Sequence, residues 1–86
     1  MGPITSLEEL KKEATTENGD YADFYITLNY GAKSSKRILY HPETNTFDII
    51  NEIDFSYQDD LTENQLANET FIIEAINKGA LYKYDF

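Results

Sequence analysis

Phe24-Tyr25-Ile26-Thr27-Leu28-Asn29-Tyr30 alternates, with Phe24, Ile26, Leu28 and Tyr30 falling on one side and Tyr25, Thr27 and Asn29 on the other. A period of two is the mark of a strand with one face buried and the other wet. The segments that follow extend the pattern into a sheet. Gly31-Ala32-Lys33-Ser34-Ser35 reads as a turn, and 36–40 as a second strand. His41-Pro42-Glu43-Thr44-Asn45 reads as another turn, since proline cannot donate to a central ladder. A third strand is expected over 46–57, where Phe47, Ile49, Ile53, Phe55 and Tyr57 form an apolar face interrupted by Asn51. Together these make a three-stranded antiparallel meander with Ile26, Leu28, Ile49 and Ile53 inside.

Helical signals flank the meander. Ser6-Leu7-Glu8-Glu9 is a capping box, in which a serine oxygen accepts from the N3 amide and the N3 glutamate reaches back. Leu7, Leu10 and Ala14 recur behind it at helical spacing, which predicts a helix over 6–16. Asn18-Gly19 ends it with a left-handed turn. Thr62-Glu63-Asn64-Gln65 is a second capping box, with a break expected near Asn68-Glu69-Thr70. Ile72, Ile73 and Ile76 then form the stripe of a last helix that ends at Lys78 and Gly79. The tail Leu81-Tyr82-Lys83-Tyr84-Asp85-Phe86 alternates again and predicts a fourth, edge strand or an extended arm. The fold class is α+β, with helices on one face of an antiparallel sheet. At 86 residues the chain makes one domain, residues 1–86, with 1–5 expected as a flexible start, native or not, outside the fold.

Between Arg37 and Lys78 there is no lysine or arginine, yet nine carboxylates occur there, within a net charge of −9. A surface of one sign repels nucleic acid and anionic membrane leaflets and attracts basic proteins. An aromatic fraction of 14% and a hydrophobic fraction of 41% are too high for a disordered acidic tail, so a folded body carries the charge. Without cysteine there is neither a disulfide framework nor a thiolate metal site, which fits a reducing cytoplasm. No apolar run approaches the ~18 residues that span a bilayer.

Catalytic and metal-binding patterns are weak. His41 is the single histidine, sits before a proline in a turn, and has no ligand-spaced companions. The expectation is no enzyme, no catalytic residue, no metal, no cofactor and no small-molecule substrate. The candidate site is an acidic face. In the phase that buries the odd positions of the third strand, Asp48, Glu52 and Asp54 share its other face, and Asp59, Asp60 and Glu63 continue the charge toward the next helix. Residues i and i+2 of a strand lie about 6.8 Å apart, close to the separation of successive phosphates along a nucleic-acid strand. The same pattern serves equally as the solvated face of a half-exposed sheet. Lys33, Lys36 and Arg37 form a secondary, basic turn that pairs with acids on a neighbouring strand. Seven tyrosines supply core and interface alike, with Tyr25 on the polar face of its strand.

The runs LNYGAKSSKRI (28–38), NEIDFSYQDDLTENQLANET (51–70) and EAINKGALYK (74–83) resemble a short open reading frame of a low-GC bacterium or phage, through their Asn, Lys, Ile and Tyr usage. In size, charge and layout the chain is similar to small acidic phage and mobile-element proteins of the anti-CRISPR and DNA-mimic kind. That resemblance implies inhibition by occupying a basic nucleic-acid-binding surface of a host enzyme. The alternative is a small accessory interaction domain that binds through tyrosines and a sheet edge, its acidity serving solubility.

Overall fold

The computed structural model describes residues 2–51, 61–68 and 70–84. Helix α1 (Leu7–Glu13) opens as its capping box requires: the Ser6 hydroxyl accepts from the Glu9 amide at 3.1 Å. The Glu9 carboxylate accepts from the Thr5 amide at 2.9 Å, one residue beyond the usual partner. Leu10 and Ala14 turn inward, and the Ala14 carbonyl accepts from the Tyr40 amide at 2.9 Å. This bond docks the helix end onto the sheet.

The sheet is built from β1 (Ala22–Thr27), β2 (Lys33–His41), β3 (Thr46–Asn51), β4 (Leu61–Thr62) and β5 (Leu81–Lys83). Their spatial order is β4-β3-β2-β1-β5, and every neighbouring pair is antiparallel. The meander is therefore present and is widened at both edges. The C-terminal tail supplies the expected edge strand, and β4 adds a fifth.

The first strand occupies 22–27 rather than 24–30, and the second starts at Lys33 rather than at 36. A tight hairpin is the cause. The Leu28 amide donates to the Ala32 carbonyl at 2.8 Å, and the Gly31 amide donates to the Leu28 carbonyl at 3.0 Å. Asn29-Tyr30-Gly31 thus forms a three-residue loop, closed by Gly31 at φ 86° in the left-handed region that glycine enters without penalty. The alternation runs on into this loop, but the strand does not. Leu28 is 37% exposed and Tyr30 80% exposed, so neither belongs to the interior face expected of them. Ile49 is fully buried and Ile26 packs at the core edge, as the period predicts. Residues 52–57 of the expected third strand, Ile53 among them, lie outside the described residues.

A second capping box opens α2 (Glu63–Asn68). Gln65 donates its amide to the Thr62 hydroxyl at 3.3 Å, and its side-chain oxygen accepts from the Thr62 amide at 3.0 Å. The break expected near Asn68-Glu69-Thr70 falls on Glu69, which lies outside the described residues. Helix α3 (Thr70–Lys78) comes next. It ends in paired bonds from the Ala80 amide to the Ala75 carbonyl and from the Gly79 amide to the Ile76 carbonyl, at 2.8 and 3.1 Å, the closing pattern of a left-handed C-cap.

One hydrophobic core joins all of these elements. Leu10, Leu66, Ile72 and Ile76 from the helices meet Phe24, Ile38, Phe47, Ile49 and Leu81 from the sheet. The described helices all lie on this one side. The start of the chain is not outside the fold as expected: Ile4 is buried in the same core, and its amide donates to the Leu81 carbonyl at 2.7 Å. No helix among the described residues is long and apolar enough to cross a membrane.

Candidate functional site

Strand register decides which side chains share the other face. Ala22, Phe24 and Ile26 point to the core, so Asp23, Tyr25 and Thr27 point away from it. Pairing carries this across the sheet: Tyr25 lies between Ser35 of β2 and Tyr82 of β5, and Asp23 lies beside Arg37. Leu39, Asp48 and Ile50 complete the face on β2 and β3. Among the described elements no helix covers it.

A packed aromatic cluster stands on its β1–β5 side, at the sheet edge. Tyr25 stacks on Tyr82 with ring centroids 5.2 Å apart and planes 9° apart, and meets Tyr84 at 4.7 Å in a tilted contact. The Tyr84 hydroxyl lies 3.2 Å from Ser35 Oγ. Lys33 Nζ sits 4.6 Å from the Tyr25 ring centroid, a cation–π contact worth ~0.5–1 kcal/mol at an exposed site. Arg37 Nε pairs with Asp23 Oδ1 across the strands at 3.4 Å. Each of these three tyrosines is half-buried. The result is a packed, amphipathic surface with polar tips.

The basic residues expected in a turn are thus strand residues. Lys33, Lys36 and Arg37 all belong to β2, and the alternation of the strand divides them. Lys33 and Arg37 lie on the uncovered face. Lys36, opposite Phe24, lies on the helix side. The expected pairing with an acid on a neighbouring strand is present for Arg37.

Of the six acidic candidates, Asp48 and Glu63 are described, and they do not share a face. Asp48 is on the uncovered side, where one carboxylate oxygen accepts a hydrogen bond from the Tyr21 hydroxyl. Its other oxygen is buried with no hydrogen-bond partner among the described residues. Glu63 is on the helix side in the first turn of α2. It receives Lys11 Nζ at 2.7 Å and Asn45 Nδ2 at 3.3 Å, and the same Asn45 accepts from the Tyr40 hydroxyl at 2.8 Å. The hydrogen bond from Lys11 holds the Glu63 carboxyl below its ordinary value, with Asn45 adding to the effect. The same bond raises Lys11 against the opposing pull of burial. Glu63 is therefore a latch between α1, α2 and the β2–β3 turn as well as a surface charge. Glu52, Asp54, Asp59 and Asp60 lie outside the described residues.

On the helix side, a cleft of about 560 Å³ opens between the β1–β2 hairpin and α3. Ile26, Leu28, Ala75 and Ala80 form its apolar part, and Lys36, Lys78 and Glu74 its charged rim. Two cations and one anion give it the opposite sign to the molecule as a whole.

The aromatic cluster is not evident from the sequence. Its one signal is the spacing of Tyr82 and Tyr84, which puts both rings on one face of any strand the tail forms. What the spacing lacks is the partner. Only the pairing of β5 with β1 brings Tyr25 to them. No protein-family model, no curated protein and no solved structure matches the chain.

Proposed function

We propose that the protein is a non-catalytic binding domain that docks on a basic surface of a partner protein. The observation that carries this reading is the uncovered sheet face with Tyr25, Tyr82 and Tyr84 packed together along its β1–β5 edge. Tyrosine and arginine dominate the residues whose truncation costs most at protein interfaces, and both are present on this face. Rings already stacked on one another lose little freedom when a partner arrives, which lowers the ordering cost of association. The net charge of −9 adds long-range attraction to this contact surface. It raises the encounter rate with a basic partner and suppresses nucleic acid, while the tyrosines set how long the complex lasts. Where the partner's basic surface normally holds DNA or RNA, docking there inhibits the partner by charge mimicry. The cleft on the helix side has the wrong sign to serve such a partner.

The experiment is a capture from a lysate of the source organism, followed by binding kinetics on the purified partner. Association should slow steeply between low and physiological salt, because steering is screened over a Debye length of ~8 Å. The double variant Tyr25→Ala/Tyr82→Ala should leave association nearly unchanged and speed dissociation by about a hundredfold, the equivalent of ~2.7 kcal/mol. Nucleic acid should compete for the partner if mimicry is the mode. A complex indifferent both to salt and to the tyrosines would defeat the proposal.

A further inference from the structure

We infer that Asn18, in the loop between α1 and β1, is a site of spontaneous deamidation, and that its conversion adds a negative charge and resets that loop. Asn18-Gly19 is the chain's single asparagine–glycine step; the other asparagines precede Tyr30, Thr46, Glu52, Gln65, Glu69 and Lys78. The reaction needs an electrophilic side-chain carbonyl beside an unhindered backbone nitrogen, and the loop supplies both. Asn18 Oδ1 accepts from the Asp20 amide at 3.3 Å, a side-chain turn that polarises the carbonyl and so makes Cγ more electrophilic. Among the described residues the Gly19 nitrogen makes a long 3.4 Å contact to the Thr16 carbonyl. Gly19 has no Cβ, and nothing lies within 4 Å of where one would stand. The Thr16 hydroxyl donates to the Asp20 carbonyl at 2.6 Å and keeps the loop closed in this shape. Residues 17–20 are all exposed, so water and hydroxide reach them.

The step balances with water alone. The Gly19 nitrogen gives its proton to hydroxide and attacks Asn18 Cγ. The new C–N bond closes a cyclic imide, the Cγ–Nδ2 bond breaks, and the departing nitrogen takes a proton from water to leave as ammonia. Water then opens the imide at either carbonyl. One product carries aspartate at position 18. The other is an isoaspartyl linkage, in which the backbone runs through the side chain and gains an atom. Either way a neutral amide becomes a carboxylate, and the net charge goes from −9 to −10 (−9 − 1). The isoaspartyl form lengthens the connection just ahead of Tyr21, whose hydroxyl holds Asp48.

The test is timed incubation of the folded protein at neutral and mildly alkaline pH, with peptide mass mapping and labelling by an isoaspartyl methyltransferase. Asn18 should lose its amide about tenfold faster than any other asparagine, equal to ~1.4 kcal/mol of barrier, and faster still at the higher pH. Asn18→Gln should abolish the isoaspartyl label. Gly19→Ala should slow conversion about tenfold, since a methyl group beside the nitrogen hinders the attack, with circular dichroism to check that the variant is folded. Retention of the Asn18 amide while Asn29 or Asn77 converts would overturn the inference. So would a folded Gly19→Ala variant that converts at the parent's rate.

Discussion

Glu63 and Lys11 bind each other at 2.7 Å, and their titrations move apart as a result. Glu63 has a folded-state pKa below its ordinary value, so the stability it contributes is present above that ordinary value and is lost as pH falls through the folded one. Lys11 is raised, so its contribution is present below its ordinary value and is lost as pH rises through the folded one. Between those limits the latch is whole. Urea midpoints across a pH series should therefore show wild type above Glu63→Gln at neutral pH, with the gap closing in acid. A gap that stays constant into acid would mean that Glu63 acts through packing instead of charge. Burial sets a second contrast at this scale. Ile49→Ala should cost ~2–5 kcal/mol, while Leu28→Ala, 37% exposed in the hairpin, should cost under about 1 kcal/mol. Equal losses in urea unfolding would place Leu28 in the core after all. Alternation makes Ile49 legible as interior, but it marks Leu28 as interior too, because periodicity does not register where hydrogen bonds turn the chain.

Elements that announce themselves by local chemistry are readable in the sequence, and those formed by distant pairing are not. The boxes at Ser6 and Thr62 act over three residues, and both helices begin where their boxes stand. Ser6→Ala removes the acceptor for the Glu9 amide and should lower stability by ~0.5–2 kcal/mol. Ser6→Gly should recover most of that loss, measured by the same urea titration, because glycine is itself an acceptable N-cap. A loss in Ser6→Gly as large as in Ser6→Ala would point to packing as the role of Ser6. Strand β5 is the contrary case. Its alternation is visible, yet its position beside β1 depends on bonds such as the Thr27 amide to the Ala80 carbonyl and the Tyr84 amide to the Asp23 carbonyl. Its tie to α1 depends on the Lys83–Glu13 pair, whose members are 70 residues apart. The basic residues of β2 illustrate the same limit. Their clustering in sequence suggests one feature, and a strand's period of two sends Lys36 to one side of the sheet and Lys33 and Arg37 to the other.

At the scale of the molecule, the charge gap between Arg37 and Lys78 is legible at once, whereas the arrangement of that charge in space is not. Lys11 and Lys83 reach across the fold to Glu63 and Glu13, so part of the acidity is paired by residues far from it in sequence. On the described part of the uncovered face, Asp23 and Asp48 are matched in number by Lys33 and Arg37. Steering by the whole field and contact by a local patch thus become separable. The double reversal Glu52→Lys/Asp54→Lys and the control Glu8→Lys/Glu17→Lys each change the net charge from −9 to −5 (−9 + 4). Glu8, 82% exposed and 3.6 Å from Lys11, serves as a control with Glu17, whereas Glu13 holds Lys83 at 2.9 Å and its reversal would disturb the fold. If the field steers association, both pairs should slow kon by a similar factor, on the order of tenfold at low salt, and the difference should fade as salt rises. If the acidic stretch also touches the partner, the Glu52/Asp54 pair alone should raise koff, since contacts broken after docking appear in dissociation. We expect both effects from Glu52/Asp54 and only the first from Glu8/Glu17. Equal koff in the two variants would confine the contact to the tyrosine cluster, and unchanged kon in both would reduce the acidity to a solubility device.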